Sequence, residues 1–188
     1  MSNLPIIAIT LGDVTGIGPE VVAKALAHPE IHRLCRPLVI GDSRVFADPR
    51  FAAPLPAFEI VSSAAAVSSA PGSVALLDLH NLAPEDVAMG RLSPVAGRAA
   101  VEYVLKATEL AMAGAVDAIA TAPLNKEAMR LAGYPYIGHT EILAEVTGTP
   151  RCTTMLATPG LRVTHVTRHI PFREIAGRIT TARIVETI

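Results

Sequence analysis

Four short clusters hold the residue types that could do chemistry. The first, Gly12-Asp13-Val14-Thr15-Gly16-Ile17-Gly18-Pro19-Glu20, sets three glycines and two carboxylates between an apolar run and a helix pattern. Glycine lets backbone N–H groups approach an anion, because no Cβ obstructs the way and a positive φ is tolerated. Asp13, Gly16 and Gly18 are therefore candidate substrate contacts, although a tight structural turn uses the same residue types. The spacing is neither the dinucleotide fingerprint nor the P-loop, since no G-x-G-x-x-G and no Gly-Lys-Ser/Thr is present.

The second cluster is Thr121-Ala122-Pro123-Leu124-Asn125-Lys126, directly after a strand pattern. Ligands of open α/β sheets bind beyond the carboxyl ends of the strands, so Asn125 and Lys126 could hold a phosphate or carboxylate. Asn125 is a candidate substrate contact and Lys126 a candidate catalytic residue; the plain alternative is a solvated loop lysine. The third cluster is Gly138-His139-Thr140-Glu141, where Thr140 could cap a helix over Ile142 to Val146. His139 and Thr140 would then face a substrate from a helix start, unless His139 is a surface histidine beside an ordinary cap. The order of residues is not the His-Glu-x-x-His of zinc proteases.

The fourth cluster, His165-Val166-Thr167-Arg168-His169-Ile170-Pro171, has two histidines four apart. On a helix they could share a metal, but in an extended segment they stand about 13 Å apart, which one ion cannot bridge. At most one is a ligand. His169, past the end of the strand pattern, is the better placed, and His165 reads as structural.

The elements that must position these residues alternate in type. Short apolar β-branched runs at Pro5–Thr10, Pro37–Ile40, Phe58–Val61, Val74–Leu79 and Val116–Thr121 read as strands, the third a minor one inside the variable connection Pro54–Pro71. Helix patterns follow Pro19, run from Pro94 to Ala113 with few charges, and occupy Glu127–Ala132. Ser43 could cap a short turn after the second strand. Pro159-Gly160 could join Thr153–Ala157 and Leu161–Thr167 as a hairpin. The expected fold is α/β, a mixed and mainly parallel sheet flanked by helices. From Arg173 a helix pattern breaks near Gly177, restarts near Thr180 or Thr181, and meets no stop signal before Ile188. The expectation is the N-terminal portion, residues 1–188, of a two-lobed enzyme whose second lobe is incomplete or absent.

Composition narrows the function class. Of 188 residues, 51% are hydrophobic and 18% charged, which suits near-continuous buried strands and excludes a largely disordered chain. Sixteen basic and seventeen acidic residues are scattered to a net charge of −1, so no electrostatic stripe points to nucleic acid or anionic lipid. Cys35 and Cys152 alone give neither a disulfide framework nor a thiolate zinc site. No signal-like start and no apolar run of about 20 residues is present, so no membrane partner and a cytoplasmic location are expected.

Taken together and in this order, the four clusters, joined by Gly90, Gly97 and Met155-Leu156-Ala157-Thr158, resemble the 4-hydroxythreonine-4-phosphate dehydrogenase family. The resemblance implies an isocitrate/isopropylmalate dehydrogenase-like fold and a homodimer. It implies NAD- or NADP-dependent oxidation of 4-phosphooxy-threonine, with decarboxylation to 3-amino-2-oxopropyl phosphate in pyridoxal phosphate biosynthesis, assisted by a divalent metal such as zinc, magnesium or cobalt. By resemblance His169 is one of three histidine metal ligands, while His139 and Thr140 contact the phosphorylated four-carbon hydroxy acid. The other two histidines, with most nucleotide- and phosphate-binding residues, lie in the family beyond the position of Ile188, so the chain alone is expected to be weakly active or inactive. Val14-Thr15 stands where the family usually carries Pro-Ala, a departure that points toward a D-threonate/D-erythronate 4-phosphate dehydrogenase paralogue. Two other readings compete. One is a non-catalytic truncated remnant or interaction module; the other is a phosphate acyltransferase of similar architecture, against which His139 and His169 argue.

Overall fold

The structure, a computed structural model, describes residues 4–48, 57–68, 70, 72–149, 152–168 and 170–188. The chain divides into two compact units, Met1–Gly148 and Thr149–Ile188.

The first unit is built on a five-stranded sheet: β1 (Ile6–Thr10), β2 (Arg36–Gly41), β3 (Phe58–Val61), β4 (Val74–Asp78) and β5 (Ala118–Thr121). All four pairings are parallel, in the order β3-β4-β2-β1-β5. In β2 and β4 the runs Pro37–Gly41 and Val74–Leu77 are buried without alternation, as interior strands covered on both faces require. The register sets Thr10 opposite Ile40 on one side and Thr121 on the other, so β1, β2 and β5 end at one level.

Helices α1 (Gly18–Leu26), α2 (Pro29–Leu34), α3 (Pro94–Met112), α4 (Lys126–Leu131) and α5 (His139–Val146) connect and cover the strands. Helix α3 starts where Ser93 Oγ accepts the Ala96 N–H at 3.2 Å and Pro94 fills the first turn, whose N–H has no intrahelical partner anyway. It buries Ala96, Gly97, Ala99, Ala100, Tyr103, Val104 and Ala107. A Cβ on Gly97 would stand 2.4 Å from the Ala128 backbone, so glycine is what lets α3 and α4 touch. Val101, Val104, Met129 and Ile142 close a second small core among α3, α4 and α5.

Two local expectations are corrected here. The turn after β2 is capped by Asp42, not Ser43: Asp42 Oδ1 accepts the Arg44 N–H at 3.0 Å, while Oδ2 accepts the Leu82 N–H at 3.0 Å and the Arg44 guanidinium at 2.7 Å. A fully buried carboxylate needs those donors, and a serine hydroxyl could not take them all. Helix α2, absent from the sequence reading, opens on Pro29 after an extended His28.

The second unit contains the expected hairpin, β6 (Met155–Thr158) and β7 (Leu161–Thr164), antiparallel across Pro159-Gly160, with Gly160 at φ +80°. It forms its own two-stranded sheet, so the antiparallel component belongs to a different sheet from the wholly parallel five-stranded one. Helices α6 (Phe172–Arg178) and α7 (Thr181–Thr187) follow, the second capped by Thr180 Oγ1 accepting the Arg183 N–H at 3.1 Å. Among its described residues none is buried. No helix among the described residues is long and apolar enough to cross a membrane.

Candidate functional site

Strand order reverses at β1: β2, β4 and β3 extend the sheet on one side, and β5 adds to the other. Such a switch point opens a crevice beyond the carboxyl ends of the two central strands, and ligands of open α/β sheets occupy it. The loops there are Leu11–Ile17 and Ala122–Asn125, which carry the first two sequence clusters.

These loops are fastened to each other. Asp13 N–H donates to the Pro123 carbonyl at 2.9 Å, and Ala122 N–H to the Thr10 carbonyl at 3.2 Å. Gly12 has φ +65°, and a Cβ there would stand 2.3 Å from the Pro123 oxygen. At Gly18 a Cβ would meet the Leu11 carbonyl oxygen at 2.3 Å. Gly12 and Gly18 thus make room for the protein's own backbone, which accounts for both without a ligand. Gly16 is different, because a Cβ there meets nothing closer than 3.5 Å. Asp13 is buried, and its Oδ1 accepts from Thr15 N at 3.0 Å and Thr15 Oγ1 at 2.8 Å, a local turn that holds the loop. Thr15 carbonyl in turn accepts the Gly90 N–H at 2.8 Å.

On the other loop, Asn125 Oδ1 caps α4 by accepting the Ala128 N–H at 3.0 Å, which commits its oxygen and leaves its NH2 group to act. Lys126 is exposed in the first turn of α4. A cation at a helix N-terminus opposes the macrodipole, so helix stability does not explain this lysine.

Helix α5 begins at His139 itself, after an extended Gly138, and Ile142 N–H donates to the Gly138 carbonyl at 3.4 Å. Thr140 therefore lies inside the first turn and is not the cap, a correction to the sequence reading. The His139 imidazole faces the Ala122 carbonyl. Burial pushes its pKa below the ordinary histidine range, and the Ala122 carbonyl only partly opposes the shift. Nε2 of His139 is buried with no hydrogen-bond partner among the described residues. The Thr10 hydroxyl, at the last position of β1, is likewise buried and unpartnered. The sequence reading did not single out Thr10; a polar residue closing an otherwise apolar strand was the available signal.

Three of the four clusters thus meet at Ala122-Pro123: the glycine loop, the Asn125-Lys126 loop and His139. The fourth belongs to the second unit, and His169 lies outside the described residues. His165, read as structural, is exposed. Among the described residues no group of three His, Cys, Asp or Glu side chains could hold a metal ion, so the described residues alone do not form a complete metal centre. The glycine loop likewise provides no dinucleotide cradle, since the space at Gly12 and Gly18 is filled by the chain.

A family model described as "Pyridoxal phosphate biosynthetic protein PdxA" matches residues 33–188. The chain belongs to this family. The PdxA-family chain is 46% identical over 187 residues to the D-threonate 4-phosphate dehydrogenase of Cupriavidus necator, covering 98% of itself and 56% of that relative. Among solved structures it resembles a 4-hydroxythreonine-4-phosphate dehydrogenase from Burkholderia phymatum, with TM-score 0.89 and 41% identity over 98% of this chain and 56% of that one. A 4-hydroxythreonine-4-phosphate dehydrogenase from Klebsiella pneumoniae gives TM-score 0.89 and 36% identity, over 99% of this chain and 57% of that one. The chain therefore spans little more than half the length of these relatives.

Proposed function

We propose that this PdxA-family chain is the N-terminal portion of an NAD(P)-dependent dehydrogenase that oxidises a secondary alcohol of a phosphorylated four-carbon hydroxy acid. The observation that carries the reading is His139 Nε2: a buried nitrogen with no partner, on an imidazole held neutral, beside the switch-point crevice. An unsatisfied buried polar atom costs about 1–3 kcal/mol and is kept where a ligand completes it. A neutral imidazole protonated on Nδ1 would present a lone pair at Nε2, which accepts the substrate hydroxyl. Thr140 and the Asn125 amide add neutral hydrogen bonds, and exposed Lys126 supplies positive charge for the phosphate or carboxylate.

A nicotinamide, when bound, would supply the hydride acceptor; His139 Nε2 would accept the hydroxyl proton as the carbinol is oxidised, and the resulting β-keto acid would lose carbon dioxide. A divalent metal, when bound, would stabilise the negative charge on the reacting oxygen. His169 is proposed as one of its ligands; the remainder of the site would come from residues outside this chain. As partners we propose a second copy of the full-length protein and the nicotinamide cofactor, and as location the cytoplasm.

Among substrates, D-threonate or D-erythronate 4-phosphate is favoured. The Cupriavidus necator relative bears the first of these names. The names of the two similar structures support 4-phosphooxy-threonine as the second reading. The test is a chimera joining this chain to the rest of the Cupriavidus necator relative, assayed for NADH or NADPH formation with each acid. Turnover of D-threonate 4-phosphate above that of 4-phosphooxy-threonine is expected. The reverse preference would move the chain to the pyridoxal branch, and no turnover of either would remove the dehydrogenase reading.

A further inference from the structure

His139 can serve the site only if its ring is held in one place, and the helix that carries it is poorly equipped to do this alone. Helix α5 spans only His139–Val146, and a helix so short is marginal in water without tertiary contacts. Its cap residue, Gly138, has no side chain to close the first turn, and the Ile142 N–H reaches the Gly138 carbonyl at 3.4 Å. Ile142 is its one buried residue, with Leu143 packed partly beside it on the second core. A single buried anchor seats a helix and leaves it free to pivot about that contact.

Two tyrosines supply a brace. The Tyr136 hydroxyl, from the segment before α5, donates to Glu145 Oε1 in the last turn of the helix at 3.1 Å. The chain that enters the helix is thereby tied to the turn that leaves it, and His139 lies inside the closed stretch. The Tyr136 ring stacks on Tyr134, with centroids 5.9 Å apart and planes at 18°. Tyr134 N–H donates in turn to the Met129 carbonyl in α4 at 3.1 Å, and both rings pack against the core that Met129 and Ile142 share. Contacts thus run from α4 through Tyr134 and Tyr136 to the far end of α5, while at its near end the His139 ring meets the Ala122 carbonyl.

We infer that Tyr136 is a positioning residue for His139, acting through its hydrogen bond to Glu145. The inference rests on the reading of His139 as the group that meets the substrate hydroxyl, and adds to it what holds the ring in place.

A contact that merely stabilised the fold would leave the surroundings of the ring unchanged in the folded chain. The ring reports those surroundings itself: burial holds its pKa low against the opposing Ala122 carbonyl, and no charged side chain among the described residues contributes. The test is an NMR titration of His139 in the 188-residue chain, its signal assigned by loss in His139→Gln. Tyr136→Phe keeps the stacked ring and removes the donor; Glu145→Ala removes the acceptor; Glu145→Gln keeps one. Amide spectra confirm that each variant retains the parent fold. His139 should bind its proton about threefold more tightly in Tyr136→Phe and in Glu145→Ala, as the loosened ring meets water, and as in the parent in Glu145→Gln. In the chimera with the Cupriavidus necator relative, Tyr136→Phe should lower kcat with D-threonate 4-phosphate severalfold and Glu145→Gln should not. A chimera without turnover would remove the dehydrogenase reading and leave the titration standing. A His139 titration unchanged by Tyr136→Phe, or shifted equally by Glu145→Gln, overturns the positioning role.

Discussion

The Asp13 N–H donates to the Pro123 carbonyl at 2.9 Å, so the loop that follows β1 is tied to the loop that follows β5 across the point where strand order reverses. Gly12 makes the approach possible. Gly12→Ala would force a side chain into the left-handed region and against the Pro123 oxygen at 2.3 Å. The combined strain and overpacking should destabilise the chain by about 3 kcal/mol. Gly114→Ala, at φ +69° but in open space, should cost only about 1 kcal/mol. Urea unfolding of the two variants separates steric contact from backbone conformation, and equal losses would contradict the account.

The Asp42 carboxylate sits at the end of β2 with its side chain inaccessible to solvent. Burial raises its pKa, but hydrogen bonds from the Arg44 side chain, the Arg44 N–H and the Leu82 N–H outweigh burial, and the net shift is downward. The folded state therefore holds the charged form more strongly than the unfolded chain does. That stability is present above the unfolded value of about 3.9 and is lost as pH falls through the folded value below it. Asp42→Asn leaves Arg44 without its partner and should cost about 3 kcal/mol at neutral pH, read from the urea midpoint. The variant should also lose less stability than the parent on acidification below pH 4.

His139 makes a prediction of opposite ionic character. Its pKa is depressed by burial, so between the folded value and the unfolded value of about 6.5 the unfolded chain binds a proton that the folded chain does not. Stability contributed by the neutral ring is present above the unfolded value and falls away as pH drops below it. His139→Gln removes this dependence. Urea midpoints measured at pH 7.5 and 5.5 should fall further in the parent than in the variant; parallel losses would show that His139 titrates freely.

Thr149–Ile188 has no buried residue among those described, and Leu156, Leu161, Phe172, Val185 and Ile188 are all more than half exposed. With so little apolar burial to hold it closed, its backbone hydrogen bonds should open locally at low free-energy cost. Hydrogen exchange on the 188-residue chain should therefore be fast throughout α6 and α7 and slow in α3, where Ala99, Ala100 and Val104 are fully buried. Comparable protection in α3 and α7 would refute this.

Much of the fold is legible in the sequence. The five apolar β-branched runs, Pro19 and Pro94 at helix starts, and the Pro159-Gly160 hairpin follow from local periodicity and turn chemistry, and each forms where expected. What was not legible depends on contacts far apart in sequence. That Gly12 and Gly18 serve the chain's own carbonyls cannot be read from their spacing, which suits an anion loop equally well. The same holds for Asp42, whose partner Leu82 lies forty residues away, and for Thr10, notable only because its hydroxyl is enclosed without a partner. Thr140 was misplaced for a local reason: α5 starts on His139, so a residue type favoured at caps falls inside the first turn.

The account rests most heavily on His139 Nε2 as the acceptor of the substrate hydroxyl. The direct measurement is steady-state oxidation of D-threonate 4-phosphate by the chimera with the Cupriavidus necator relative, with and without His139→Gln, at pH 7.5. A fall in kcat/KM of about a hundredfold is predicted, with the urea midpoint at that pH little changed. A variant that keeps the parent's kcat/KM would show that the unpartnered nitrogen is not what the substrate meets.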